Sequence, residues 1–517
     1  MDTSIKEHVS DALQLSRRRL GLLGMAALGG LALGECASAA AAGVDDLVVA
    51  YGAIGANRHP WQAVITVDFD ILNLIFDPLL TSNADGGIVP SLAETWERTS
   101  PTVIRLKLRE GAAFHDGRRV TAEDVKYSIE LAHDPRAILG FYYRSWLDRV
   151  EIVDDRTVEI VAKTPSRLAP QIIAFISFIM PTGARLENYT APIGSGPYRF
   201  VEFVPNNRLK LERNPTWWGP PPRFRTITIR QIPEPSTRIA ALASAEVDYA
   251  ENIPVEDIAT VEASRKKIIS APTTRLLYVG FNRTGATPVQ DKLVRQAVNH
   301  AIDKEGIRAA LFNGLGAPAE SIIPAGFKYR SAKLARYDYD PDKAKALLAQ
   351  AGYPNGFEAT FAGPNNRYIR DRETCEAIVS QLEAVGIRAK LRLFDWSTYV
   401  AELRADRDAH TGKYAMWLWG WGSFPTDAES SFGSLLTGSA YNMAGFANPR
   451  LMDLLARSRA ATDDAALTDI FAELEKLVWE DEAQMAGLLY LPQIVGISPR
   501  LAGMTLRLDE STRWATL

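Results

Sequence analysis

The stretch FEATFAGPNNRYIRDRETCEAIVSQLEAVGIRAKLRL, residues 357–393, decides the fold class. Phe357 to Phe361 reads as a strand. Cys375, Ile378, Val379, Leu382 and Val385 then recur at helical spacing on one face, and Gly386 stops them. From Ile387 the period becomes two: Ile387, Ala389, Leu391 and Leu393 alternate with Arg388, Lys390 and Arg392. Strand, helix and strand with short links form a βαβ unit, which requires a parallel pair and a right-handed crossover. Cys375 lies in the helical stripe and reads as a small buried hydrophobe, not a reactive thiol.

The same patterns extend outward. Asp340-Pro341 supplies an N-cap and a first-turn proline, Ala344, Leu347, Leu348 and Ala351 form a buried stripe, and Gly352 ends it. Leu293, Val294, Ala297, Val298, Ala301 and Ile302 share one helical face, while Arg295 and Asp303 read as helix-surface or salt-bridge residues. Nearer the N-terminus, Thr102 to Arg109 alternates as a half-buried strand, and Thr121 with Asp124 opens a helix in the manner of a capping box. Hairpins are expected at Val150–Val153 with Thr157–Val161, and at Tyr198–Phe203 with Arg208–Arg213. His115-Asp116-Gly117 and Gly194-Ser195-Gly196-Pro197 read as turn chemistry, not as a catalytic or phosphate site. The class is α/β with a mixed α+β portion.

Composition narrows the function. The 517 residues argue for two to four domains. With 58 basic and 62 acidic residues the net charge is −4, which gives no support to nucleic-acid binding. Two cysteines and six histidines, none at a helical ligand spacing, cannot build a thiolate cluster or a zinc site. Eleven Trp and 17 Tyr stand out instead. Residues 16–22, SRRRLGL, precede an apolar run from Gly21 to Leu33 and small-residue sequence ending ASAAAAG, the parts of a secretory signal over residues 1–42. Arg17-Arg18 makes it resemble the twin-arginine type. Cleavage near Ala39–Ala42 would discard Cys36, whose neighbour Glu35 argues against lipid anchoring. No later stretch is apolar for long enough to span a bilayer, so a periplasmic protein is expected.

Several stretches, in one order over nearly the whole chain, carry a resemblance: VPSLAETW (89–96), IRLKLREGAAFHDGRRVTAEDVKYSIE (104–130), GSGPYRFVEF (194–203), LKLERNPTWWG (209–219), DKLVRQAVNHAIDKEGI (291–307) and YDPDKAKALLAQAGYPNGF (339–357). With the aromatic segment from Trp417, they resemble extracytoplasmic solute-binding proteins of the peptide type, the oligopeptide, dipeptide and nickel receptors of ABC importers. The resemblance implies a two-lobed periplasmic-binding-protein-like clamshell that closes on a small organic solute, peptide or peptide-like, and delivers it to a membrane permease driven by an ATPase. Lobe one would comprise 43–80, 191–285 and 487–517, with a subdomain inserted at 81–190. Lobe two would comprise 286–486, and the chain would cross at Gly280-Phe281-Asn282 and again near 486–492. It also implies a monomer with no cofactor. Scarce histidine disfavours nickel.

The candidate ligand residues lie in WLWGWGSFPTDAESSF, 417–432. Trp417, Trp419 and Trp421 alternate and so point one way, as an aromatic wall. In the peptide-binding relatives an Asp shortly after such a strand pairs with the ligand's α-ammonium. Here Phe424 stands at that place and the nearest carboxylate is Asp427. Asn282 at the crossing completes the set, with Arg367, which together with Arg370 offers a bidentate partner for a carboxylate. The competing class is a secreted hydrolase with a Trp-lined cleft, for which Asp427 and Glu429 would be the acid pair.

Overall fold

A computed structural model describes residues 45–516 apart from 56–57, 64, 84–86, 188, 366, 424–426 and 436–438. The export signal, Cys36 and Phe424 therefore lie outside the described residues.

Ten strands follow one another across a single large sheet. In chain order they are β1 (Asp46–Tyr51), β2 (Tyr198–Val204), β3 (Arg208–Arg213), β4 (Thr226–Gln231), β5 (Tyr249–Ala250), β6 (Lys267–Phe281), β7 (Phe357–Pro364), β8 (Ile387–Phe394), β9 (Met416–Trp421) and β10 (Met485–Ile497). Their spatial order is β8-β7-β9-β6-β10-β5-β1-β4-β3-β2, and the short strand Ala317–Pro318 adds to β10 off this path. β7 and β8 pair in parallel, with helix Asp371–Ala384 between them, so residues 357–393 form the expected βαβ unit. Asp291, Asp340 and Thr121 cap the helices expected after them, and the hairpin β2–β3 forms as expected.

Two strands run the length of this arrangement. β6 has 15 residues and β10 has 13, and they pair antiparallel in three registers, with shifts between Pro272 and Leu276 and between Leu277 and Tyr278. Lys267–Pro272 pairs with Pro492–Ile497; after a shift, Leu276–Gly280 pairs with Met485–Tyr490. Thr273–Arg275 is the interruption, and the Thr273 hydroxyl holds it by donating to the Leu491 carbonyl at 2.8 Å. β5 joins β10 beyond the shift on one side, and β9 joins β6 at Leu276–Phe281 on the other. The change of partners thus falls at Thr273–Arg275 and Leu491–Pro492, upstream in β6 of the crossing expected at Gly280–Asn282.

A separate four-stranded antiparallel sheet, Ala93–Ser100, Val103–Leu108, Thr157–Ala162 and Leu147–Asp154 in spatial order, shares one core with the β1 side. On the β9 side the sheet is covered on both faces. Trp417 and Trp419 face a cluster with Tyr399, Phe432 and Phe471. Met416 and Leu418 face Val294, Phe361 and Cys375 on the other. Gly280 has a physical reason to be glycine: a Cβ there would collide with the Trp417 indole, which lies across β6.

Of the two charges read as helix-surface or salt-bridge residues, Arg295 is interior and salt-bridged, 3.6 Å from the Glu482 carboxylate. Arg295 is 2% exposed and donates to the carbonyls of Glu482, Val289 and Gln290. It bridges its helix to the segment before β10, whereas Asp303 caps the next helix through Gly306 N at 2.8 Å. His115 sits at a turn, accepting from Gly194 N–H at 3.3 Å with its other nitrogen 3.1 Å from the Gly196 carbonyl. Burial lowers its pKa to about 4.

Leu418→Ala is expected to cost about 2–5 kcal/mol in urea unfolding, because a fully buried side chain is removed from the core it shares with Val294 and Cys375. His115 stays neutral when folded, so the unfolded chain takes up its proton first, and stability is lost as pH falls from 6.5 toward 4. His115→Gln should show a shallower fall of the urea midpoint over that range.

Candidate functional site

Between the β1 side and the β9 side lies a cavity of about 110 Å³, about half of whose lining residues are aromatic. Phe69, on helix Thr66–Ile75, and Phe175, on helix Ala169–Ile176, stack at 4.9 Å and form one wall. The facing wall is Trp396, Trp419 and Trp421; Trp396 and Trp419 lie 5.2 Å apart. Tyr441 meets Trp421 edge-on at 5.6 Å and touches Phe141 from the other side at 5.9 Å. Tyr368 reaches the cavity because position 420 is glycine: a Cβ there would lie 2.8 Å from the tyrosine ring. The Tyr368 hydroxyl accepts from Gly420 N–H at 3.0 Å.

Two arginines enter this apolar space, and their situations differ. Arg275 stands at the interruption of β6 and donates twice to Glu510, at 2.8 and 2.7 Å. The pair is largely buried, at 12% and 15% side-chain exposure. Arg367 lies over the rings of Tyr368 and Trp396, 5.1 Å from each centroid, and forms no ion pair among the described residues. Its Nε is buried without a hydrogen-bond partner. Burial pushes its pKa down, and Arg275 adds to this by repulsion. No Asp or Glu lines the cavity among the described residues. The Trp419 Nε1–H is a second buried donor without an acceptor. An apolar site with one unmatched cation and one unmatched N–H is complementary to an anionic oxygen group on a flat organic molecule.

The expected ligand residues separate. Trp419, Trp421 and Arg367 line the cavity together. Trp417 does not; its indole is 2% exposed and packs in the core. Asn282 is structural: its amide donates to Asp406 at 3.0 Å and Tyr414 O at 3.1 Å, and its oxygen accepts from Thr284 and Gly285 N–H. Arg370 turns away into ion pairs with Glu256 and Glu373, both at 2.6 Å. Asp427 lines a different, larger cavity of about 1010 Å³ and is paired with Arg167. Glu429 is paired with Arg459 at 2.6 Å, so neither member of the acid pair considered for a hydrolase is a free carboxyl.

Arg275, Trp396, Phe69 and Phe175 were missed from sequence. A signal existed for Arg275 alone, a single charge in the run Thr273–Phe281, TTRLLYVGF, whose other members are apolar or small.

A two-sided α/β fold enclosing a ring-walled cavity with an unmatched cation is the architecture of a solute receptor. The chain belongs to the bacterial extracellular solute-binding proteins, family 5, whose middle portion matches residues 87–443. It is 29% identical over 450 residues to the glutathione-binding protein of Pectobacterium atrosepticum, covering 84% of this chain and 87% of that one. Among solved structures it resembles the binding protein AgaA of A. tumefaciens R10 in complex with agropinic acid, with TM-score 0.80 and 27% identity, over 91% of this chain and 96% of the other. The ABC transporter-associated periplasmic binding protein DppA of Helicobacter pylori, solved with the peptide STSA, has the same fold at TM-score 0.80 and 22% identity, over 91% and 97%.

Arg367→Met should raise the melting temperature of the ligand-free protein in scanning calorimetry, since it removes an uncompensated charge from an apolar site. A fully exposed arginine replaced likewise should change stability by no more than about 0.5 kcal/mol.

Proposed function

We propose that this chain is the receptor of an ABC importer for a small organic solute bearing a carboxylate, with Arg367 as the residue that takes the carboxylate. The observation that carries the reading is the unpaired Arg367 guanidinium in a cavity that no carboxylate lines among the described residues. Trp419 Nε1–H is the second donor, and the rings of Phe69, Phe175, Trp396 and Trp421 clasp the flat part of the ligand. A cavity of about 110 Å³ suits a carboxylate head and a few attached atoms, below the ~300–1,000 Å³ of sites for whole drug-sized ligands. The remainder extends toward the larger cavity: Gln171, with a buried and unpartnered Oε1, lines it one helical turn before Phe175.

In this reading the β1 side with its four-stranded sheet is lobe one, the β9 side is lobe two, and closure flexes Thr273–Arg275 and Leu491–Pro492. Residues 1–42 export the protein to the periplasm, where it works as a monomer with a permease and an ATPase and returns its ligand unchanged. Glutathione and agropinic acid, the ligands named for two relatives, both carry carboxylates and are the first candidates, and glutathione alone adds an ammonium group.

Calorimetric titration of the mature protein with each compound tests this. Binding by one of them is expected, with melting temperature rising as RT ln(1 + [L]/Kd) requires and no product visible by mass spectrometry. Arg367→Met should weaken that binding by about 2–5 kcal/mol, roughly 30-fold or more. Unchanged affinity in the variant would remove Arg367 from the site, and turnover of the compound would make the protein an enzyme.

A further inference from the structure

The larger cavity poses a question that the aromatic one does not. Three carboxylates line it among the described residues, Asp427, Asp464 and Asp509, and each is already matched within the chain, by Arg167, Lys328 and Arg507. The Lys328–Asp464 pair is exposed, and Arg507 lies only two residues from Asp509. The Arg167–Asp427 pair is of another kind. It joins positions 260 residues apart, one in the segment leading to helix Ala169–Ile176 and the other after β9, so it spans the cleft. It is bidentate, at 2.6 and 2.9 Å, with side-chain exposures of 16% and 11%.

The surroundings hold both partners in place. Arg167 N–H donates across the cleft to the Arg459 carbonyl at 3.1 Å, and Arg459 in turn binds Glu429. The Arg167 guanidinium lies 6.0 Å from the Tyr329 ring centroid and 5.8 Å from that of Phe471. Among the described residues one Asp427 oxygen accepts from Arg167 alone, and the other accepts also from Glu429 N–H at 2.9 Å. Three of about four acceptor positions on the carboxylate are thus filled, and its charge is already matched by a guanidinium.

We propose that Arg167 is a specificity-determining residue: a guanidinium tethered to the protein that fills, from one side of the cleft, the carboxylate on the other side that a cationic end of a ligand would need. Closure is then completed by an internal ion pair, and solutes carrying an ammonium group are disfavoured relative to the same molecules without it. This rests on the reading of the cleft as a solute site and adds what that site rejects. It complements Arg367: the aromatic cavity keeps that cation without a carboxylate, and no carboxylate lining either cavity is unmatched among the described residues.

The test uses two small cations in place of the missing side chain. The mature protein, Arg167→Ala, and Arg167→Ala combined with Asp427→Asn are compared by small-angle scattering and melting temperature in ethylguanidinium chloride, n-butylammonium chloride, or sodium chloride at equal ionic strength. Arg167→Ala is expected to show a larger radius of gyration than the unaltered protein. Either organic cation at millimolar concentration should restore it and raise the melting temperature, with an apparent affinity at least about tenfold above that of the double variant. The unaltered protein should respond to neither beyond sodium chloride. The inference is overturned if Arg167→Ala is as compact as the unaltered protein, or if the organic cations act on it no differently from sodium chloride. It is equally overturned if the unaltered protein responds as strongly. Should Arg167→Ala fail to fold, Arg167→Met, which keeps the aliphatic stem over Tyr329 and Phe471, carries the same test. None of these readouts involves Arg367 or a ligand carboxylate, so the outcome is separate from that of the Arg367 experiment.

Discussion

The antiparallel pairing of β6 with β10 is the constraint on which the molecule depends. Each strand is long enough to serve both halves of the large sheet, and the break at Thr273–Arg275 lets one half end where the other begins. Backbone hydrogen bonds on either side of a break tolerate bending there better than within an unbroken ladder, because the interrupted residues have no cross-strand partner to lose. The break also carries Arg275 into the cleft, where Glu510 holds it. The break and part of the cavity wall are therefore one segment of chain.

Charge placement gives the site its chemistry. Rings alone would accept any flat apolar molecule of suitable size, since dispersion and desolvation carry little directional information. In the proposed function Arg367 supplies the discrimination, because a cation lodged among aromatic faces without a carboxylate gains most from a ligand that brings one. Arg275 and Arg167 are the same residue type in related surroundings, yet each is neutralised by the chain itself. Three arginines near one cleft thus have two different fates, decided by whether a carboxylate stands within reach.

What the sequence disclosed follows the range of the interactions. The βαβ unit at 357–393, the capped helices and the hairpins depend on neighbours within a few residues, and their periods and turn residues are visible in one dimension. The alternation of Trp417, Trp419 and Trp421 correctly placed all three rings on one face of β9, but nothing in that alternation says where along the strand core gives way to cavity. The boundary falls between Trp417 and Trp419, because it is set by Trp396, Phe69 and Phe175, brought there from remote segments. The ion pairs were invisible for the same reason: Arg275 and Glu510 are 235 residues apart, and Arg167 and Asp427 are 260. Arg295 is a salt-bridge residue, as one of its two readings had it, but its partner Glu482 is 187 residues away, so no local pattern reveals its burial.

The central position of β10 has a consequence during synthesis. Its neighbours β5 and β6 leave the ribosome about 200 residues before it does, so both edges that it will join stay open while the intervening chain is made. At ~5–20 residues per second that interval lasts roughly 10–40 seconds. Throughout it, β6 offers an unpaired and strongly apolar edge of the kind that invites wrong partners. A chaperone that shields this edge, or a slow codon stretch that lengthens its exposure, would therefore act on yield without altering a single contact of the finished receptor.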